Sequence, residues 1–152
     1  MRDSIELASY AQGIAAAAHT GQRDKAGAPY IEHPARVAGH LIALFPDASS
    51  EAVAVAWLHD TVEDTALTLE DLRKLGFPDF VVAGVDAMTK RANEAPEDYF
   101  RRVRSDPLAL MVKAADLRDN TDPERVKLLD AATAERLVRK YEKSQRLLQG
   151  AG

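Results

Sequence analysis

The chemistry in this chain gathers where an apolar run ends. Residues Ala52 to Leu58 carry no charged or hydroxyl side chain, and then come His59, Asp60, Glu63 and Asp64. Ionisable groups at the end of a buried helix cost several kcal/mol each unless they are paired, hydrated or bound to a cation. Read as one continuous helix, the run places Glu63 at i+4 from His59 and Asp64 at i+4 from Asp60, on the same face. Carboxylates at a helix C-terminus also face the negative end of its dipole. A bound cation between His59 and Asp60, with Glu63 and Asp64 beside it as an acid/base pair, answers both problems. The competing reading is an exposed, solvated helix end.

Asp116 is a second anomaly, at the end of another apolar stretch that includes Met111, Val112, Ala114 and Ala115. Alone it reads as a helix-cap carboxylate; together with His59 and Asp60 it becomes a ligand from a distant segment. His33, just before Pro34, reads as a cap or as a fourth ligand. Two His and two Asp would make a mixed nitrogen and oxygen site, suited to Mn²⁺, Fe²⁺, Zn²⁺ or Mg²⁺. A metal-activated water beside a carboxylate pair fits hydrolysis of a phosphate ester or anhydride. Lys25 and Arg23, in a loop with Gly21 and Gly27, and Arg118 and Asn120, after Asp116, are placed to meet anionic oxygens.

The elements that must position these groups all read as helix. Expected helices run from Ser4, as cap, to about His19; from Pro34, as first helical residue, to before Pro46, with Val37, Leu41, Ile42 and Leu44 facing a core; and from a Ser49 or Ser50 cap through the apolar run. Others follow from Thr68 to Gly76, Pro78 to about Lys90, Pro96 to Ser105, Pro107 to Asn120 (capped by Asp106, with Leu108 and Leu110 among its buried residues), within 121–130, and Thr133 to Gln149. His19 and His40 are expected to be structural, His40 half-exposed. No strand pair is apparent. The fold class is all-α, with eight or nine helices in a single domain over residues 1–152.

Composition narrows the function. The chain has 152 residues, 46% hydrophobic and 29% charged, which suits one soluble globular core. A net charge of −4 and the lack of a basic, aromatic-laced cluster argue against nucleic acid as a partner. No cysteine is present, so disulfides and thiolate metal sites are excluded and a reducing cytoplasm is compatible. No signal peptide and no apolar run of membrane-spanning length is expected. A homo-oligomer is compatible with the sequence.

The order His33, His59-Asp60, Asp116 resembles the signature of the HD-domain phosphohydrolases. Its flanking blocks are similar to the hydrolase domain of RelA/SpoT-type proteins in their stand-alone form, the small alarmone hydrolases. These blocks are Gly21-Gln22, Asp24-Lys25-Ala26-Gly27, Pro29-Tyr30-Ile31-Glu32-His33-Pro34, the Trp57 to Asp64 segment and the Lys113 to Asn120 segment, and the resemblance spans about Ala18 to Asn120. It implies an HD-type helical bundle with one divalent metal, commonly Mn²⁺, held by His33, His59, Asp60 and Asp116. Glu63 and Asp64 would handle the attacking water, and Lys25 and Asn120 would contact substrate. The implied reaction removes the 3′-pyrophosphate from (p)ppGpp, the alarmone of the stringent response, giving GDP or GTP and pyrophosphate. The length leaves no room for a synthetase domain, so hydrolysis alone is expected.

Two departures stand out. Such proteins commonly have Arg-Lys where this chain has Asp24-Lys25, and often Asp-Arg-x-His-Asn where it has Asp116-Leu117-Arg118-Asp119-Asn120. A carboxylate at position 24 that faced the pocket would repel a polyphosphate, with Arg23 or Arg118 as compensation. The alternatives are therefore another nucleotide substrate, such as an adenine alarmone or a dinucleotide cofactor phosphate, and a non-catalytic metal-containing nucleotide-binding module.

Overall fold

Two largely buried helices form the centre of the molecule. The computed structural model describes residues 4–150, without the side chains of residues 4 and 5, so the cap expected at Ser4 lies outside the described side chains. The helices are α1 (Ser4–Ala18), α2 (Glu32–Leu44), α3 (Ser50–Leu58), α4 (Thr61–Asp64), α5 (Leu69–Lys74), α6 (Asp79–Met88), α7 (Pro96–Ser105), α8 (Pro107–Asn120), α9 (Pro123–Val126) and α10 (Ala131–Leu148). The fold is all-α, as expected. Among the described residues there is no strand, only one bridge pairing Arg23 with Pro29 across the loop before α2.

Helix α3 touches α1, α2, α6 and α8, which explains its apolar sequence on every side. Ala52, Ala54, Val55, Ala56 and Leu58 are all fully buried. Ser49 caps it by accepting from the Ala52 amide. Gly84 of α6 lets that helix approach closely: a Cβ there would lie 2.9 Å from Val55 Cγ2. Helix α8 is the second hub, packing on α2, α3, α6, α7 and α10. Asp106 caps it through the Leu108 and Ala109 amides. The chemistry-bearing residues cluster where these two hubs end. Among the described residues no helix is long and apolar enough to cross a membrane.

Three local expectations change. The apolar run does not continue as one helix through Asp64. The chain breaks at Asp60 (φ −103°, ψ −2°), and Thr61–Asp64 forms a separate turn, α4, the one element beyond the expected count. Thr61 holds the break by donating its hydroxyl to the Leu58 carbonyl at 2.8 Å. Glu63 and Asp64 thus lie in the first turn of α4 rather than at the C-terminus of α3. Helix α2 starts at Glu32, so Pro34 is its third residue, still within the turn whose amides need no internal partner. Ile42, Leu44 and Leu110 are exposed rather than core-facing, because α2 turns only His33, Pro34, Val37, Ala38 and Leu41 inward and α8 turns Leu110 outward.

Candidate active site

Four side chains from three segments converge beneath the break. His33 comes from the first turn of α2, His59 and Asp60 from the α3–α4 junction, and Asp116 from the last turns of α8. His33 Nε2 lies 3.0 Å from Asp116 Oδ1 and 3.6 Å from Asp60 Oδ2. His59 Nε2 lies 3.0 Å from Asp60 Oδ2 and 3.6 Å from Asp116 Oδ1. His33, His59 and Asp116 are buried and Asp60 is half-buried.

Each of the four is held by another group. His59 donates from Nδ1 to the Ala56 carbonyl at 2.7 Å. That fixes the tautomer and turns the Nε2 lone pair inward, where this fully buried atom makes no hydrogen bond. His33 donates from Nδ1 to Asp119 Oδ2 at 2.7 Å. The Tyr30 hydroxyl donates to Asp60 Oδ2 at 2.6 Å. Burial, then the Asp60 carboxylate, push the Tyr30 phenol far above its ordinary range, so it remains a donor. Lys113 Nζ lies 3.0 Å from Asp116 Oδ2, and Asn120 Nδ2 donates to Asp116 Oδ1 at 3.2 Å. Asp119, which the sequence offered only as a departure, and Tyr30 and Lys113, quoted only inside motifs, therefore orient three of the four candidate ligands. Their one signal in the sequence was position within those motifs.

The electrostatics are those of a cation site. Burial opposes charge on His59 and His33, but the facing carboxylates outweigh it and raise both imidazoles above their ordinary pKa. Burial would likewise neutralise Asp116, yet Lys113, His33 and His59 hold it well below the carboxylate range. Burial opposes charge on Asp60 too, and His59 overcomes it. Two ligands about 2.1 Å from one ion and at right angles lie about 3.0 Å apart, the spacing seen in both His–Asp pairs. An orphaned imidazole nitrogen aimed at carboxylates, with its tautomer fixed from behind, is the arrangement a divalent ion needs.

Glu63 and Asp64 lie beside the cluster. An oxygen from each, with one from Asp60, falls within 4.8 Å of the others. The Asp64 carboxyl is raised above its ordinary pKa, first by burial and then by Asp60 and Glu63. Glu63 Oε1 accepts from the Lys90 amide at 2.9 Å. Gln22 secures this turn: it donates to the Asp64 carbonyl at 2.8 Å and pairs with Nδ1 of the buried His19 at 2.8 Å. His40 is half-buried, as expected, with Nε2 3.5 Å from Asp119 Oδ1.

A cavity of about 480 Å³ opens above these groups. Its floor is acidic, with Asp60, Glu63, Asp64 and Asp116, and its wall carries Arg23, Lys25, Lys90, Arg125 and Lys140. Asn120 and Lys25, the two expected substrate contacts, both line it. Arg118 is exposed and does not. Arg23 lines it with its Nη1 donating to the Gly27 carbonyl at 2.8 Å. Asp24 is not a bare charge in the cavity. Its Oδ1 accepts from the Ala26 and Ala28 amides at 2.9 and 3.0 Å, and its Oδ2 pairs with Arg125.

Comparison with known proteins places this arrangement. A family model described as HD domain matches residues 11–145. The chain belongs to the HD domain family. Membership implies a divalent metal, and the cluster of His33, His59 and Asp60 is built to hold one. Over 110 residues the chain is 36% identical to the guanosine-3′,5′-bis(diphosphate) 3′-pyrophosphohydrolase of Aquifex aeolicus, covering 67% of this chain and 15% of that protein. It is 40% identical over 111 residues to a GTP pyrophosphokinase of Streptomyces coelicolor, covering 67% and 13%. It is 33% identical over 128 residues to the bifunctional (p)ppGpp synthase/hydrolase SpoT of Escherichia coli, covering 78% and 18%. The chain thus spans less than a fifth of the length of these relatives. A solved structure of a metazoan ortholog of SpoT, described as hydrolysing ppGpp, superposes with a TM-score of 0.79 over 96% of this chain and 87% of that one, at 24% identity. That likeness establishes the shared HD fold.

Proposed function

We propose that this HD domain, acting as a single unit over residues 1–152, removes the 3′-pyrophosphate from (p)ppGpp-type alarmones to give GDP or GTP and pyrophosphate. The observation that carries this reading is one cavity whose acidic floor includes the candidate ligands Asp60 and Asp116 and whose wall carries several cations. The relatives from Aquifex and Escherichia, named for the same hydrolysis, support it.

His33, His59, Asp60 and Asp116 would hold the ion, for which Mn²⁺ suits the two imidazoles and two carboxylates. A divalent ion in this position supplies Lewis acidity to a water and to a phosphoryl oxygen. Asp64 is the proton acceptor. Burial and its carboxylate neighbours raise its proton affinity, whereas one oxygen of Glu63 is committed to the Lys90 amide. Glu63 orients the water. As water oxygen bonds to the phosphorus attached to the ribose 3′ oxygen, that P–O bond breaks. One water proton goes to Asp64, and the 3′ oxygen leaves with a proton from solvent. Lys25, Asn120, Lys90 and Lys140 bind the phosphates, which explains a wall with more cations than one phosphate needs.

The test is conversion of ppGpp to GDP and pyrophosphate by the Mn²⁺-loaded protein, followed by chromatography. Intact ppGpp after incubation, with another nucleotide from a panel of adenine alarmones and dinucleotide cofactor phosphates consumed instead, would reassign the substrate. Binding of ppGpp without turnover of any nucleotide would make the chain a binding module.

A further inference from the structure

Asp24 and Asp119, the two departures from the motifs of the family that the sequence resembles, are joined in the structure by one guanidinium. Arg125, in α9, donates from Nη2 to Asp24 Oδ2 at 3.5 Å, across 101 positions of sequence. Its Nε lies 3.6 Å from Asp119 Oδ2. The same Asp119 oxygen accepts from His33 Nδ1 at 2.7 Å, while Asp119 Oδ1 accepts from Arg36 Nε at 2.8 Å. Asp119 has no exposed side-chain surface, and the Asp24 side chain is 8% exposed. Asp24 in turn shapes the 23–29 loop by binding the Ala26 and Ala28 amides. A planar guanidinium can reach two carboxylates through different nitrogens, which the point charge of a lysine cannot do with the same geometry.

We propose that Arg125 is a positioning residue that couples the 23–29 loop to the imidazole of His33. The proposal rests on His33 serving as a metal ligand. The mechanism is competition for one oxygen. Asp119 Oδ2 is shared between His33 at 2.7 Å and Arg125 at 3.6 Å. While Asp24 holds the other arm of Arg125, the guanidinium stays at the longer distance and the oxygen is left mainly to His33. Removing the Asp24 charge releases Arg125 onto Asp119 and draws that oxygen away from the imidazole. A ligand His that loses its hydrogen-bonded carboxylate becomes less well oriented and a weaker donor. Because Arg125 also lines the cavity, an anion seated there acts on the same guanidinium, so loop, anion and ligand are linked reciprocally.

Asp24→Asn is the informative substitution, since the amide oxygen still accepts from Ala26 and Ala28 and only the charge facing Arg125 is lost. Mn²⁺ affinity, read from the electron paramagnetic resonance of free Mn²⁺ in the absence of nucleotide, is compared in the full-length wild type, Asp24→Asn, Arg125→Ala and the double variant. Thermal melts of the metal-free forms check that each is folded. Asp24→Asn is expected to weaken Mn²⁺ binding about three- to tenfold when Arg125 is present, and less than about twofold in the Arg125→Ala background. Arg125→Lys, which keeps the charge but not the fork, should abolish the coupling as Arg125→Ala does. An Asp24→Asn effect that is absent in the wild-type background, or equal in both, overturns the proposal. A folded wild type that binds no Mn²⁺ would overturn the metal site itself and this coupling with it, a result distinct from additivity between two variants of a protein that does bind.

Discussion

The floor and the wall of the cavity are built on opposite terms. At the floor, the candidate ligands His33, Asp60 and Asp116, and His59 buried beneath them, are each fixed from behind, by Asp119, Tyr30, Lys113 and the Ala56 carbonyl respectively. On the wall, Lys25, Lys90 and Lys140 are exposed, and none pairs with a carboxylate among the described residues. Partial desolvation at the cavity edge, and then the neighbouring Lys90, Lys25 and Lys113, lower Lys140 from its ordinary pKa. The floor is thus preorganised for an ion that demands fixed geometry. The wall lysines are charges that repel one another until a polyanion arrives. On the proposed function, ligand geometry is stored in the fold, and phosphate recognition is left to the substrate.

The largest effects should follow from breaking the floor. His59→Ala removes a candidate ligand whose Nε2 faces only the Asp60 and Asp116 carboxylates, so Mn²⁺ binding should weaken by about 100-fold or more and turnover should fall to background. Titration of Mn²⁺ against a chelating dye, alongside a ppGpp assay, reads both. Near-normal metal affinity in this variant would sink the four-ligand assignment. Next comes Asp64→Asn, which tests a residue exposed like the wall but assigned to the chemistry of the floor. Its kcat should fall about 10²- to 10⁴-fold with Mn²⁺ affinity nearly unchanged, and Glu63→Gln should cost less. A larger loss from Glu63→Gln would reverse the two roles.

A change of pH should separate the two regions without a mutation. In the metal-free protein the His33 and His59 pKa values are raised, so protons compete for the ligand nitrogens to a higher pH than at a free imidazole. Apparent Mn²⁺ affinity should therefore rise with pH until both imidazoles are neutral, with proton release on binding measurable by calorimetry in buffers of different ionisation enthalpy. The linkage to stability runs the same way. A raised histidine pKa stabilises the metal-free fold below the unfolded value of about 6.5, and that contribution is lost as pH rises through the folded value. The rise in melting temperature on adding Mn²⁺ should consequently grow with pH. A pH-independent rise would show that no proton is displaced from the imidazoles.

The floor was far more legible in the sequence than the wall, and for a physical reason. His59, Asp60 and Asp116 betray themselves because polar groups ending apolar helices violate burial rules, and an all-α core could be read from the same helices. The break at Asp60 was not legible. One residue's backbone angles and the Thr61 hydroxyl decide it, and the helical pattern runs through both. Asp119 and Tyr30 were invisible as positioning residues because their partners, His33 and Asp60, lie 86 and 30 positions away. Arg125 was missed for the same reason. The sequence offers Arg23 and Arg118, nearby in sequence or motif, as compensation for Asp24, whereas the fold supplies it from α9. The wall residues Lys90 and Lys140 sit on exposed faces where a lysine signals nothing until tertiary structure gathers several around one opening.

The smallest effects belong to the wall, and their pattern matters more than their size. Lys25→Ala removes one exposed cation among several, so the loss should fall on KM, about three- to tenfold, with kcat and Mn²⁺ affinity nearly unchanged. An exposed charge acts through screened Coulomb attraction, so added salt should weaken ppGpp binding in the wild type and do so less steeply in the variant. Removing Lys25 also removes one of the charges that depress Lys140, so the Lys140 pKa should move back toward its ordinary value, an effect visible by NMR of ¹³C-methylated lysines. If Lys25→Ala lowers kcat as much as it raises KM, Lys25 takes part in the transition state. The boundary between a preformed floor and a substrate-organised wall would then have to be redrawn to include it.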